Sequence, residues 1–128
     1  MREVDTGDAQ SLDGLPISQA IVHGDTVYVS GTVPRDPETN ELVDGDMRAQ
    51  AEQVMENLTS ILEAAGSSLD RVVKGTVFLA DIDDRAAFNE VYAEYLNEPH
   101  PARSAVGVDL AVDAGVEVEV VAALDDGT

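Results

Sequence analysis

The chain has 128 residues, 44% hydrophobic and 26% charged, a length and balance that suit one compact domain with a single core. It contains no cysteine, which excludes a disulfide scaffold, a thiolate metal site, a cysteine nucleophile and an iron–sulfur cluster, and agrees with a reducing compartment. Asp and Glu number 26 against 7 Lys and Arg, a formal net charge of -19, so the few scattered cations argue against nucleic-acid binding and against attraction to anionic membranes.

Residues 1–14 are polar and read as a mobile N-terminal segment of a single domain over residues 1–128, with order beginning near Leu15 and Pro16. Residues 17–23 and 26–33 are strand-like, rich in Val, Ile, Thr and Tyr, and Gly24-Asp25 between them supplies a hairpin turn. Gly31 interrupts the second strand, which marks a bulge, a plain bend, or a place where something approaches the backbone closely. Asp36-Pro37 and Asn40 make residues 35–45 an exposed loop. Met47, Ala51, Val54, Leu58, Ile61, Leu62 and Ala65 then recur at spacings of three and four, an amphipathic helix with Asp44 or Asp46 as N-cap and Gly66 as its stop. Residues 72–80 read as a buried strand. Asp83 or Asp84 caps a second helix, with Phe88, Val91, Tyr92, Tyr95 and Leu96 on one face, which stops before Pro99. The valine-rich runs 105–108 and 116–124 complete the order β-β-α-β-α-β-β.

That order implies an α+β fold, a single mixed sheet with both helices packed on one face. The other face then lacks a cover, and a homo-oligomer would supply one. The periodic apolar segments argue for a folded protein with an acidic surface rather than disorder. At molar salt the Debye length falls to about 3 Å and the self-repulsion of such a surface largely disappears, so the composition fits a salt-loving cytoplasm. The N-terminal residues lack the basic and apolar regions of a signal peptide, and no apolar run approaches the roughly 18 residues of a membrane span, which together predict a cytoplasmic protein.

Most catalytic signatures are missing: there is no P-loop, G-x-G-x-x-G, G-x-S-x-G or H-E-x-x-H. His23, beside a turn, and His100, between prolines, read as loop residues. A metal held by carboxylates alone stays open, although Asp81-Ile82-Asp83-Asp84 is better explained as a helix N-terminus. Arg103 in Pro101-Ala102-Arg103-Ser104 enters an apolar strand after a proline-fixed turn, and reads either as half of a structural ion pair or as a fork for a substrate carboxylate. In Val116-Glu117-Val118-Glu119-Val120 strict alternation sends both glutamates to one face. The strand is then half-solvated, or Glu117 faces a cleft containing Arg103 and orients or deprotonates water beside a small carboxylate held there.

The segments Pro16-Ile17-Ser18-Gln19-Ala20, Val27-Tyr28-Val29-Ser30-Gly31, Asp36-Pro37-Glu38-Thr39, Val73-Lys74 with Thr76-Val77-Phe78-Leu79, Asn89-Glu90-Val91-Tyr92, Pro101-Ala102-Arg103-Ser104 and Val116-Glu117-Val118-Glu119 resemble, in order, those of the RidA (YjgF) family of reactive-intermediate deaminases. The resemblance covers about residues 15–124. It implies a chorismate-mutase-like fold assembled as a homotrimer with clefts between subunits. It also implies hydrolysis of 2-imino or enamine acids such as 2-aminoacrylate to 2-keto acids and ammonia, with no cofactor. Carried over by motif, Arg103 would clamp the substrate carboxylate, Glu117 would position the attacking water, and Ile17, Ser30, Gly31 and Asn89 would line the pocket. Many members carry tyrosine in the position of Ile17, and the segment between Arg103 and Glu117 is one residue shorter than usual, with no Leu-Pro pair. Ile17 is the feature that favours a different reading, a non-catalytic carboxylate-binding or regulatory protein of the same fold. RNA cleavage and inhibition of translation, also attributed to family members, fit the charge of -19 least.

Overall fold

In the computed structural model, which describes residues 1–125, the apolar stripe read from the sequence becomes helix α1 (Met47–Ala65) and buries Ala51, Val54, Leu58, Ile61 and Leu62. Of the two candidate caps Asp46 is the one used: its carboxylate accepts the Ala49 N–H at 3.0 Å, satisfying a donor that a helix start leaves unpaired. Gly66 ends the helix at φ 91°, a left-handed conformation in which a side chain would be strained.

The strands are β1 (Arg2–Val4), β2 (Ala20–His23), β3 (Thr26–Thr32), β4 (Val72–Leu79), β5 (Ala102–Gly107) and β6 (Val116–Ala123), and helix α2 (Arg85–Tyr95) joins β4 to β5. They form one mixed sheet in the order β1-β2-β3-β6-β4-β5. Only β4 and β5 pair in parallel; β6 lies antiparallel to both of its neighbours, so the last strand in sequence is inserted at the centre of the sheet. Val116, Val118, Val120 and Ala122 of β6 face the helices and join Leu58, Leu62, Phe88 and Val91 in the core. Truncating such a side chain to alanine costs about 2–5 kcal/mol. The opposite face carries Tyr28, Thr76, Glu119, Val121 and Val106 and has no helix over it, with Tyr28 50% exposed. Among the described residues no helix is long and apolar enough to cross a membrane.

The structure corrects the reading of residues 1–14 as a mobile segment. Arg2–Val4 adds an edge strand to β2, Val4 is buried under the sheet, and Arg2 donates to the Ala65 carbonyl at the end of α1. Ala9 and Gln10 are buried as well. Two further differences are local. Neither Asp83 nor Asp84 caps α2 through its side chain; Asp81 accepts the Asp83 N–H and opens a short 3₁₀ turn, Ile82–Asp84, that leads into the helix. β5 begins three residues earlier than expected, so that Arg103 lies within the ladder, paired with Gly75.

Candidate active site

The β3–β6 ladder slips where the site is built. Val29 pairs with Val120 and Thr32 with Val118, so β3 carries one residue more than its partner and bulges at Ser30-Gly31. The bulge brings Gly31 against the Glu117 side chain: a Cβ built on Gly31 would overlap the carboxylate oxygen and sit 2.8 Å from Glu117 Cδ. Two of the readings of Gly31 therefore hold together. The glycine marks a bulge, and what approaches its backbone is a carboxylate.

Glu117 is half-buried and its pKa is raised above the ordinary carboxylate value, first by desolvation and then by the neighbouring Glu119 carboxylate. It opens into a cleft of about 750 Å³ that Ile17, Ser30, Gly31 and Val112 also line. Ile17 is 51% exposed and brings only methyl and methylene groups. The Ser30 hydroxyl donates to the Ser18 carbonyl at 2.6 Å, so its proton is already committed. The loop entering β6 is fixed from the helix side, where the Gly115 N–H donates to Gln50 Oε1 at 2.7 Å and the Gly115 carbonyl accepts the Ala80 N–H at 3.0 Å.

Arg103 belongs to a second group of residues. Its guanidinium lies 4.8 Å from the centre of the Tyr92 ring and 5.9 Å from that of Phe88, an aromatic platform offered by α2. Among the described residues no carboxylate lies within ion-pair distance of it, although the chain has 26 acids, so the structural ion pair is not formed. Asn89 is exposed on the same helix, one residue from Phe88.

The two groups do not meet within one chain. Arg103 is in register with Gly75 and Val120, and so faces the helices, whereas Glu117 is in register with Phe78 and faces away from them. Two strand spacings of about 4.8 Å and three residues of about 3.3 Å each also separate their backbones. A single cleft holding both side chains, as envisaged from the sequence, is therefore absent from the isolated chain. Ile17, Ser30, Gly31 and Glu117 line one cleft, whereas Arg103 lies apart from it beside Tyr92 and Phe88, and Asn89 is exposed on α2. Tyr92 was legible from the sequence only as a core residue, and its place beneath Arg103 required the register of β5 against α2. The contacts of Gln10 and Gln50 carried no signal in the sequence, since neither lies in a motif.

The family described as Endoribonuclease L-PSP matches residues 14–124 of the chain. A RutC family protein of Pyrococcus horikoshii is 51% identical over 108 residues, 84% of this chain and 86% of that protein. The crystal structure of RidA from an Antarctic Psychrobacter superposes with a TM-score of 0.92 at 46% identity, covering 97% of this chain and 100% of that one. A protein of Dermatophagoides farinae named 2-iminobutanoate/2-iminopropanoate deaminase is 40% identical over 111 residues, 86% of this chain and 87% of that protein. With the ordered motifs, the bulged sheet and these relatives in agreement, the chain belongs to the RidA, or Endoribonuclease L-PSP, family.

Proposed function

We propose that this protein hydrolyses reactive 2-imino acids, and the enamines that tautomerise to them, to 2-keto acids and ammonia, in clefts completed between copies of the chain in a homotrimer. The observation that carries the reading is the Arg103 guanidinium, which has no carboxylate partner among the described residues and lies over Tyr92 and Phe88 in a strongly acidic protein. A planar fork with no internal carboxylate is suited to an external one. The relative named as an imine deaminase supports the choice of reaction. Because Arg103 and Glu117 stand on opposite faces of the sheet, the cleft that uses both takes Arg103 from one copy and Glu117 from the next. The uncovered sheet face is where copies would pack.

In this mechanism Arg103 and Asn89 hold the substrate carboxylate, which fixes the imine carbon over Glu117. Water adds to the carbon of the C=N bond while Glu117, as the carboxylate, takes its proton. Glu117 returns that proton to the nitrogen, giving the neutral carbinolamine, which then collapses: the C–N bond breaks, the hydroxyl oxygen forms the keto C=O, and the hydroxyl proton passes through Glu117 to the departing nitrogen, which leaves as NH3. The raised pKa of Glu117 suits both transfers, since it makes the carboxylate a stronger proton acceptor than an ordinary glutamate while its acid form can still return the proton. Orientation and a neutralised carboxylate supply the remaining acceleration for an electrophile that is already activated.

The test is ammonia and keto-acid release from imino acids generated in situ by an amino-acid oxidase. Acceleration over spontaneous hydrolysis is expected in the wild type and is expected to vanish in Arg103→Ala. A second reading, a sensor of small carboxylates without turnover, is favoured by the cleft itself. Ile17 brings no hydroxyl and the Ser30 proton is committed to Ser18, so Glu117 works without a donor beside it. Saturable binding of 2-keto acids by a trimer that accelerates no imine hydrolysis would decide for that reading.

A further inference from the structure

Gln10 is the least exposed polar side chain in the N-terminal segment, at 1%, and both ends of its amide are spent on the bulge beside Glu117. Its Oε1 accepts the Val33 N–H at 2.9 Å and its Nε2 donates to the Gly31 carbonyl at 3.3 Å. These are backbone groups flanking the place where the β3–β6 ladder is broken, where a buried amide left unpaired would be destabilising. The Gln10 backbone is anchored in turn, its carbonyl accepting from Gln19 Nε2 at 2.8 Å, while Gln19 also bonds both the N–H and the carbonyl of Thr6. A chain of amides thus runs from residues 6–10 to the bulge on which Glu117 rests.

We propose that Gln10 is a positioning residue: it holds Gly31 in the bulged geometry that presses against the Glu117 carboxylate, and so sets how far that carboxylate is withdrawn from water. The inference rests on the deaminase reading for its effect on turnover, but its structural part stands apart from that reading. Gln10 also lines the cleft, and its side-chain oxygen and nitrogen each hold one backbone group, the Val33 N–H and the Gly31 carbonyl. The charged groups that share the cleft with Glu117 are Glu119 on its own strand, Asp13 from the N-terminal segment and Arg35 from the loop after β3.

The experiment compares wild type with Gln10→Met, which keeps the length and bulk of the side chain and removes both hydrogen bonds, and with Gln10→Asn, which keeps an uncharged amide one methylene shorter, so that it cannot bridge Gly31 and Val33 as Gln10 does. Glu117 is followed by the carbon-13 shift of its labelled side-chain carboxyl during a pH titration, and turnover is measured in parallel. With Gln10→Met the Glu117 titration is expected to move toward the ordinary glutamate range and kcat to fall about tenfold at a KM changed less than twofold, in a protein that stays folded and assembled. Gln10→Asn is expected to move the titration in the same direction by less. An unchanged Glu117 titration in folded Gln10→Met would overturn the proposal whatever happens to turnover. If wild type shows no imine hydrolysis, the functional reading fails while the titration still decides the role of Gln10. A lowered melting temperature with the titration and kcat intact would make Gln10 a structural residue only.

Discussion

The Arg103 guanidinium lies 4.8 Å from the centre of the Tyr92 ring, and the Tyr92 hydroxyl, buried beneath it, has no hydrogen-bond partner among the described residues. The ring is therefore the useful part of Tyr92 and the hydroxyl is a desolvated burden, as its raised pKa also reflects, burial outweighing the pull of Arg103. Tyr92→Phe should leave KM unchanged and the melting temperature equal or higher. Tyr92→Leu should raise KM several-fold with a smaller change in kcat, because the platform under the carboxylate clamp is gone. Equal KM values in the two variants would remove the ring from substrate binding.

Gly31→Ala tests the contact between bulge and carboxylate. Gly31 is not among the residues of positive φ, so alanine fits the backbone, and what its Cβ would meet is the flexible end of Glu117. The carboxylate is expected to rotate away, at a stability cost near the low end of the roughly 1–3 kcal/mol typical of overpacking. Turnover should fall more than tenfold while thermal unfolding shifts by only a few degrees. Retained turnover would mean that Glu117 acts from another rotamer.

Glu117 gives two pH signatures of opposite sense. As a base it must be ionised, so kcat should fall on the acid side with a midpoint above the ordinary glutamate range, and Glu117→Gln should abolish that limb with the activity. For stability the sign is reversed. A carboxyl whose folded pKa is raised binds its proton more tightly in the folded chain, so stability declines as pH rises from the unfolded value through the folded one. Glu117→Gln should thus raise the melting temperature at neutral pH and lose that advantage as pH drops below the unfolded pKa of about 4.3. A variant less stable than wild type at pH 7 would show that the carboxylate is held by partners stronger than its desolvation.

The net charge of -19 makes salt a further lever. The ion pairs formed by Arg48 with Glu52 and Glu94 are exposed, and engage only a few of the acids. Raising ionic strength from 0.01 M to 1 M shortens the Debye length from about 30 Å to about 3 Å and should raise the melting temperature steadily, because more repulsion than attraction is screened. A fall in melting temperature over that range would show that the surface charges are net attractive in the fold.

Helix α1 was legible in the sequence to within the choice between Asp44 and Asp46 as cap, because the apolar period and the stop at Gly66 coincide. Gly31 announced itself as a glycine inside a strand. β1 did not, since three residues with one buried side chain carry no period, and their strand character comes from pairing with β2. The separation of Arg103 from Glu117 was hidden for a related reason. Each residue's own alternation is visible, but which face of the common sheet it shares depends on the registers of β5 with β4 and of β4 with β6. Gln10 sits among polar residues, where nothing separates an amide that serves the bulge from one that serves solvent.

Lys74, the sole lysine, stands in register with Val121 on the uncovered sheet face, exposed and close to Thr76 and Glu119. The chain consequently carries a single ε-amine, and it sits in the middle of the surface that association would cover. An acylating reagent applied at graded protein concentrations would find that amine open on separate chains and shielded on associated ones, so the tag on the Lys74 peptide, separated by mass from any tag on the Met1 α-amine, reports which state is present.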